Sequence, residues 1–289
     1  MPTVESAPFG VRSMSAPLRR VAVRRPAVSG DWSGANWQRA PDPAALERQH
    51  EKFVELLTDL GAAVELLDPL PGQLDACYVR DPVLLLDAGT LVLRCAKPIR
   101  RREGEFLAVD LEAMGVPRAA ALGEPAVADG GDLIWLDEEA MAVGRSYRTN
   151  QEGIRQLRDL LSEQDTRLIS YDLAHDQGPS RVLHLMSVVS PIADDMAVLY
   201  PPLAPVALME DLAERAVSVI EVPHDEYLTL GCNILAVRPG VLVMCDGNPE
   251  TRRALEARGC EVHTYAGSEI SLKGEGGPTC LTLPLLRSP

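Results

Sequence analysis

The 289-residue sequence predicts an α/β protein built as a ring of five hairpin-plus-helix units with pseudo-fivefold symmetry. A pattern of two β runs followed by an amphipathic helix recurs four times along the chain. A strand near each end of the chain can pair with the other and complete a fifth unit. Because apolar residues make up 46% of the composition, the chain can bury a large core. We therefore expect a single domain over residues 1–289.

The first two complete repeats lie in the N-terminal half. Pro82–Arg94 reads as two β runs around an Asp-Ala-Gly turn, and a helical pattern follows it. Asp132–Gly144 predicts a second hairpin. The helix that follows it is expected over Asn150–Leu161, with Thr149 or Asn150 as its N-cap.

The next two repeats have the same order of elements. Leu183–Tyr200 predicts a third hairpin, and a helix is expected over Leu208–Ala216. Asn233–Cys245 predicts a fourth hairpin about a Pro-Gly turn. Its helix, over Pro249–Arg258, is followed by Gly259, a residue typical of helix C-termini.

The two ends of the chain supply the fifth unit. The last strand, Leu281–Leu285, is expected to pair with the first, Arg19–Arg24. A helix then begins after Asp42 as N-cap with Pro43 in its first turn, and it ends at Gly61. Pairing of the terminal strands closes the ring, so each unit buries its apolar face against its neighbours.

Equivalent points of the five units should meet near the axis of such a ring. One chemically active residue stands just before the first strand of each unit, at successive separations of 48, 55, 49 and 47 positions: Asp81, Asp129, His184, Asn233 and Cys280. The sequence therefore predicts that two carboxylates, an imidazole, an amide and a thiol converge.

This set of groups suits nucleophilic chemistry on a cation. A cysteine thiol becomes a nucleophile when a nearby cation lowers its pKa, and His184 or a cationic substrate could lower that of Cys280. The carboxylates of Asp81 and Asp129 would repel each other unless a cation lay between them. A guanidinium is planar and permanently charged, and it can donate two hydrogen bonds to each carboxylate.

Five motifs in this order resemble the guanidine-modifying superfamily with the five-bladed α/β-propeller, or pentein, fold. They span nearly the whole chain: Arg80-Asp-Pro82, Asp129-Gly-Gly-Asp132, Gly144-Arg-Ser-Tyr-Arg-Thr-Asn150, Leu183-His-Leu185 and Gly276-Gly-Pro-Thr-Cys280. Within the superfamily the sequence is most similar to the dimethylarginine dimethylaminohydrolases. The resemblance implies hydrolysis of a free methylated arginine to citrulline and dimethylamine or methylamine, without metal or organic cofactor.

The same resemblance implies roles for particular residues. Cys280 would attack the guanidinium carbon, with His184 as proton donor and acceptor, and Asp81 and Asp129 would hold the adduct. The residues expected to bind the rest of the substrate are Asp75, Arg148, one arginine of Arg100–Arg102, taken as Arg100, and Glu275, five residues before the nucleophile.

Three other functions stay open at this level. Arginine deiminases and amidinotransferases commonly carry an aspartate two residues after the catalytic histidine, where this chain has Met186. A deiminase would release ammonia from arginine, and an amidinotransferase would need a second amine-binding pocket. A non-catalytic amino-acid sensor would not require the thiol.

Composition excludes several partners. The 28 basic and 42 acidic residues give a net charge of −14, which repels nucleic acid and anionic membranes. The sequence has no signal-peptide pattern and no apolar run of membrane-spanning length, so a cytoplasmic protein is expected. Six cysteines without a C-x-x-C pair indicate neither a disulfide framework nor a zinc site. A homodimer is compatible with the sequence.

The segment Ser29–Pro43 is rich in Gly, Ser, Pro and Trp, and we expect it to be irregular. Long irregular segments often carry function. It is therefore a candidate lid over the site, with an ordinary surface loop as the alternative.

Overall fold

The computed structural model describes residues 9–179, 181 and 183–288; Met1–Pro8, Ser180, Val182 and Pro289, which the expected domain includes, lie outside the described residues. Within that part of the chain, short strands alternate with helices throughout. The strands are β1 (Leu18–Arg24), β2 (Ala63–Leu67), β3 (Val83–Leu86), β4 (Gly89–Val92), β5 (Arg118–Ala121), β6 (Leu133–Trp135), β7 (Ala140–Arg145), β8 (Arg167–Asp172), β9 (Val189–Ala193), β10 (Met196–Leu199), β11 (Ser218–Glu221), β12 (Ile234–Arg238), β13 (Val241–Cys245), β14 (Glu261–Tyr265) and β15 (Leu283–Arg287).

Five longer helices and two single-turn helices accompany the strands. They are α1 (Pro43–Asp59), α2 (Glu103–Ala113), α3 (Gln151–Ser162), α4 (Leu185–Val188), α5 (Val206–Glu214), α6 (His224–Tyr227) and α7 (Pro249–Ala257). None of the helices in the described residues is long and apolar enough to cross a membrane.

The strands form five separate three-stranded sheets of one design. The orders are β15-β1-β2, β3-β4-β5, β6-β7-β8, β9-β10-β11 and β12-β13-β14. In each sheet the central strand pairs antiparallel with the strand at one edge and parallel with the strand at the other. The long helix of each unit connects the central strand to its parallel neighbour, because parallel strands need a crossover connection.

Helix boundaries follow the capping residues that the sequence supplies. Asp42 accepts a hydrogen bond from the Ala45 amide at 2.7 Å at the start of α1, and Pro43 occupies the first turn. Asn150 accepts one from the Gly153 amide at 2.7 Å at the start of α3. These caps fix where the two helices begin.

The first, second and fourth predicted hairpins are confirmed, and β1 pairs antiparallel with β15 as expected. The third predicted hairpin is shorter than expected. It begins at Val189 rather than Leu183, because the chain first makes the single turn α4. His184 is therefore the N-cap of a helix and does not interrupt a β run.

The third strand of each sheet was not predicted. These strands lie at exposed edges and lack clear alternation; β5, for example, consists of Arg118, Ala119, Ala120 and Ala121, with no fully buried side chain. Alanine-rich segments have weak β propensity. Their pairing with the central strand, rather than their own sequence, makes them strands.

Candidate active site

The structure brings the five equivalent residues together. Each lies just before the first strand of a different sheet, and together they cluster at an open cavity. Four of them line it directly: Asp81, His184, Asn233 and Cys280. Asp129 lies behind His184 and is fully buried.

Cys280 is half-buried and presents its sulfur to this cavity. The Asn233 side-chain amide lies 3.5 Å from Cys280 Sγ and can donate to it. Desolvation, reinforced by the negative charge of Asp81, raises the pKa of the Cys280 thiol to about 11. Without a ligand the sulfur therefore stays protonated near neutral pH, and a bound cation would favour the thiolate.

Alkylation of Cys280 by iodoacetamide should be slow at pH 7 in the substrate-free protein. Since only the thiolate reacts, the rate should rise close to tenfold for each pH unit, up to about pH 11. Mass spectrometry of the modified peptide measures this rate. The Cys280→Ser variant reports background reaction at the five other cysteines, and a plateau already below pH 9 would contradict the shifted pKa.

His184 is held between two carboxylates. Its Nε2 lies 3.2 Å from Asp129 Oδ2, and its Nδ1 lies 3.9 Å from Asp81 Oδ1. Burial opposes protonation of the ring. The charge of Asp81 and the hydrogen bond to Asp129 outweigh burial, so the pKa of His184 is raised above its ordinary value. The imidazolium is thus favoured, as a proton donor requires.

Asp132 fixes the turn that carries His184. Its Oδ1 accepts from the Leu185 amide at 2.9 Å, at the start of α4. Its Oδ2 accepts from the hydroxyls of Ser146 and Thr149, both at 2.7 Å. No role was predicted for Asp132 from the sequence, although a second aspartate three residues after Asp129 was an available signal. Asp132 is a positioning residue.

Gly131 leaves room for the histidine ring. A Cβ added there would lie 2.4 Å from His184 Nδ1 and 3.0 Å from Asp81 Oδ1. The Gly131→Ala variant should therefore displace the ring and lower kcat by about 10²-fold, the cost of a misplacement near 1 Å. Steady-state kinetics and circular dichroism measure the two effects.

Gly123→Ala is the matched control, because a Cβ there meets only Gln156 Oε1 at 4.0 Å. It should leave kcat unchanged. Equal losses in both variants would show that the effect at Gly131 is not specific to the site.

Asp81 already has a guanidinium partner in the protein. Arg100 Nη1 donates to Asp81 Oδ2 at 2.6 Å, and Arg100 Nε donates to Glu103 at 2.9 Å. Arg100 Nη2 donates to the backbone carbonyls of Asp75 and Tyr78. Arg100 lines the cavity, but these contacts occupy most of its donors. Its geometry is that of a residue that orients Asp81.

Asp75 is buried in the cavity wall, near Arg100. Its Oδ1 accepts from the Trp37 indole at 2.8 Å, and its Oδ2 accepts from Lys97 Nζ at 2.8 Å. The sequence analysis missed Lys97, a cavity-lining cation whose position within a turn gave no signal. Lys97 and Asp75 together form a pair of opposite charges on the cavity wall.

Arg148 and Glu275 also line the cavity. Arg148 Nη1 lies 3.6 Å from Asp129 Oδ2. Glu275 has a positive φ of 60° and its carboxylate pairs with Arg181 at 2.5 Å and Gln38 at 3.1 Å. A cationic ligand that reached Glu275 would compete with Arg181.

The segment Ser29–Pro43 packs against the site. Trp37 is buried and its indole donates to Asp75, while Gln38 lines the cavity and its backbone N–H donates to the Lys273 carbonyl at 2.8 Å. The segment is thus part of the cavity wall. Its proposed movement as a lid stays a prediction.

Asp81, Asp129 and His184 could together hold a metal ion, since one ligand atom of each lies within 4.8 Å of the others. Their types suit a divalent metal. Both carboxylates already pair with arginines, Arg100 on Asp81 and Arg148 on Asp129. The same oxygens therefore have partners without a metal.

Apolar side chains also line the cavity. Met186, two residues after His184, lines the cavity. The other apolar or weakly polar members of this lining are Tyr227, Leu228, Leu230, Cys232 and Leu272. Such a surface favours alkyl groups and provides no anion for an unsubstituted nitrogen.

The fold and the site together define a class of protein. The chain superposes on DDAH from Pseudomonas aeruginosa bound to citrulline with a TM-score of 0.78 and 22% identity, over 92% of this chain and 99% of that one. It superposes on the N-terminal domain of the cyanobacterial arginine dihydrolase ArgZ with a TM-score of 0.79 and 19% identity, over 93% and 97%. The mixed α/β fold is that of the pentein class.

Sequence comparison identifies the family. The arginine deiminase family profile matches residues 62–209 and 203–287, so the chain belongs to the arginine deiminase family. It is 27% identical to arginine deiminase of Listeria welshimeri over 260 residues, which cover 76% of this chain and 63% of that protein. It is 29% identical to the uncharacterized protein YkgA of Bacillus subtilis over 239 residues, which cover 83% and 79%.

Proposed function

We propose that this protein hydrolyses the guanidinium group of a free N-methylated arginine, giving citrulline and dimethylamine or methylamine. The observation that carries the proposal is the convergence of Cys280, His184 and Asp81 on one cavity, with Asp129 bonded to His184 and with several apolar side chains in the cavity lining. Met186 is part of that lining, where methyl groups on the guanidinium would be accommodated.

The first half of the reaction forms a covalent intermediate. The substrate cation pairs with Asp81, while Asp129 behind His184 holds the imidazolium. Binding of the cation favours release of the Cys280 thiol proton to solvent, and the thiolate attacks the guanidinium carbon and forms a C–S bond. The tetrahedral adduct then breaks its C–N bond to the methylated nitrogen. His184 gives its proton to that nitrogen, so the leaving group departs as a neutral amine.

The second half uses water. Neutral His184 takes a proton from a water molecule, whose oxygen attacks the carbon of the S-alkylthiouronium intermediate. The C–S bond of the resulting adduct breaks, the electron pair returns to the sulfur of Cys280, and the hydroxyl proton of the adduct leaves to solvent as the carbonyl group forms. The product carries a urea group, as citrulline does. Asn233, which donates toward the sulfur, stabilises the returning thiolate.

The amino-acid end of the substrate would lie at the polar end of the cavity. We propose that Arg148 and Lys97 attract its carboxylate and that Asp75 attracts its ammonium group. Arg100 acts through Asp81 and Asp75, both of which it contacts. Glu275 would bind the guanidinium from the opposite side after release from Arg181. The whole chain would act as one catalytic domain, closed into a propeller by β1 and β15.

Arginine deiminase activity is the second candidate, and family membership favours it. The same covalent route would then release ammonia from unmethylated arginine. The cavity argues for the methylated substrate instead, because Met186 provides neither a hydrogen-bond acceptor nor a charge to an unsubstituted nitrogen.

The experiment that tests the proposal is a product assay. The purified protein is incubated separately with asymmetric dimethylarginine, monomethylarginine and arginine, and citrulline, dimethylamine, methylamine and ammonia are quantified. Citrulline with an equimolar methylated amine is the expected result. Citrulline and ammonia from arginine alone would replace the proposal with the deiminase.

Formation of no citrulline would overturn both hydrolase candidates. A new arginine-derived amidino product in the presence of an added amine would then indicate an amidinotransferase. Saturable binding of an arginine without turnover would indicate an amino-acid sensor.

A further inference from the structure

Arg100, which donates to Asp81, is also bonded to a buried carboxylate that does not line the cavity. Arg100 Nε donates to Glu103 Oε2 at 2.9 Å, and Nη2 of the same guanidinium lies 2.9 Å from the same oxygen. Arg100 is 3% and Glu103 is 2% exposed. One guanidinium thus connects Glu103 to Asp81, whose carboxylate does line the cavity.

The start of α2 places Glu103 beside Arg100. Glu103 is the first residue of this helix, where the helix dipole favours an acidic side chain. Gly104 follows it, and a Cβ there would lie 2.9 Å from both the Pro82 carbonyl oxygen and Val92 Cγ1. The first turn of α2 can therefore pack directly against the chain that enters β3, because glycine permits a close approach of two backbones.

Arg100 opposes binding of the proposed substrate. Its guanidinium is fixed 2.6 Å from the Asp81 carboxylate, to which the substrate guanidinium would also bind. Two cations at one carboxylate repel each other, and the repulsion is strong where water is excluded. Asp75 Oδ2 lies 3.9 Å from Arg100 Nε but is paired more closely with Lys97, at 2.8 Å. Among the described residues, the ion pair of Glu103 is with Arg100 alone.

The charge of Glu103 changes near neutral pH. Burial raises the pKa of Glu103 to about 7, although Arg100 opposes the shift. Burial also raises the pKa of the two neighbouring thiols, so both stay uncharged in this range. The titratable and charged groups that face Glu103 from the neighbouring segments are Arg100, Asp75, Cys77, Asp81 and Cys95.

We propose that Glu103 is a positioning residue for the substrate guanidinium, because it offsets the charge of Arg100 and so leaves the negative charge of Asp81 to the substrate. This inference rests on the proposed function, since it concerns the guanidinium site of that reaction. Glu103 acts through Arg100 and touches neither the substrate nor the reacting atoms. The ionised form strengthens binding of the cation, and the protonated form weakens it. Glu103 should therefore affect KM more than kcat.

The Glu103→Gln variant tests the proposal at two pH values. Glutamine keeps the shape of the side chain and can accept from Arg100 Nε, but it carries no charge. In a Cys280→Ser background, which suppresses turnover, isothermal titration gives the Kd of asymmetric dimethylarginine and of arginine. Glu103→Gln should weaken binding about tenfold at pH 8.5, the effect of one unit charge at short range. At pH 5.5, where Glu103 is itself protonated, the two proteins should bind equally.

A merely structural role would give a loss of affinity that is the same at both pH values, and that result would overturn the proposal. Glu105→Gln is the matched control, because it is the same substitution in the same helix at an exposed carboxylate that pairs with Arg118 at 2.8 Å. It should leave Kd unchanged. Glu103→Asp keeps the charge and should restore most of the affinity at pH 8.5. Equal losses in Glu103→Asp and Glu103→Gln would contradict an electrostatic role.

A direct measurement covers the case in which Glu103→Gln does not fold. Cys280→Ser protein is labelled with ¹³C at the glutamate side-chain carboxyl groups. One resonance should titrate near pH 7, well above glutamates of ordinary pKa. Saturation with asymmetric dimethylarginine should move this titration to lower pH, because the bound cation favours the ionised form. If no resonance titrated near pH 7, or if the ligand did not shift it, the proposal would be wrong.

The outcomes separate this proposal from the proposed function. Citrulline formation by the unaltered protein, with an unchanged Kd in Glu103→Gln, would overturn the role of Glu103 alone. The pH-dependent loss of affinity in a protein that forms no citrulline would overturn the proposed function alone. If neither guanidine bound to the Cys280→Ser protein, both proposals would fall.

Discussion

In the Cys280→Ser variant, citrulline formation is expected to fall by at least about 10⁴-fold. Serine keeps the size of the side chain, but its hydroxyl ionises at far higher pH than a thiol. The imidazolium form that the neighbouring carboxylates favour at His184 cannot accept the hydroxyl proton. The variant therefore lacks an activated nucleophile, while the carboxylates that would bind the substrate are unchanged.

Steady-state kinetics gives the rate, and isothermal titration with the substrate gives the affinity. Affinity should be retained within about threefold, because binding does not depend on the sulfur. Cys260→Ser, at a buried cysteine outside the cavity, is the control and should keep full activity. If Cys280→Ser retained more than a tenth of the rate, Cys280 would not be the nucleophile.

The second large loss of activity is expected on substitution of Asp129, the carboxylate bonded to His184. Asp129→Asn removes the charge that accepts from His184 Nε2 and should lower kcat by about 10³-fold. The raised pKa of His184 depends partly on this hydrogen bond, so the pKa should fall in the variant. The proton-donating form then disappears at lower pH, and the alkaline limb of the kcat profile should move to lower pH.

A pH series of kcat and the ring resonances of His184 in NMR spectra measure the two shifts separately. Asp68→Asn, at a side chain that is 93% exposed, should change neither. Asp129 also accepts a hydrogen bond from the backbone N–H of Ala96. If Asp129→Asn lowered the rate but left the alkaline limb of the kcat profile unchanged, Asp129 would only hold the backbone around Ala96.

Spacing alone located most of the candidate site. Asp81, Asp129, His184, Asn233 and Cys280 recur at nearly equal intervals, and a repeated architecture converts equal intervals into a shared position. The hairpin turns and helix caps could also be predicted from the sequence, because Asp42, Asn150 and the glycines act through local backbone geometry. Local signals and repetition are what a single sequence displays most clearly.

Contacts between side chains from separate segments could not be predicted from the sequence. Two examples are the hydrogen bond from Arg100 to Asp81 and that from Lys97 to Asp75. Both depend on side-chain positions that only the folded structure determines. The third strand of each sheet forms because it pairs with the central strand. The short helix after His184 forms because Asp132, from another unit, accepts its first amide. None of these contacts leaves a pattern in the segments concerned.

The pairing of β1 with β15 also has a consequence for how activity is lost. Cys280 lies three residues before β15, and that strand pairs with β1 at the opposite end of the chain. Contacts between such distant segments carry the largest loop-closure entropy, and sheets built from nearby segments do not share this cost. Local opening at this junction would move the sulfur while the other four sheets stay intact. We therefore expect the loss of catalytic activity to follow the stability of the β1–β15 pairing, and not the average stability of the fold.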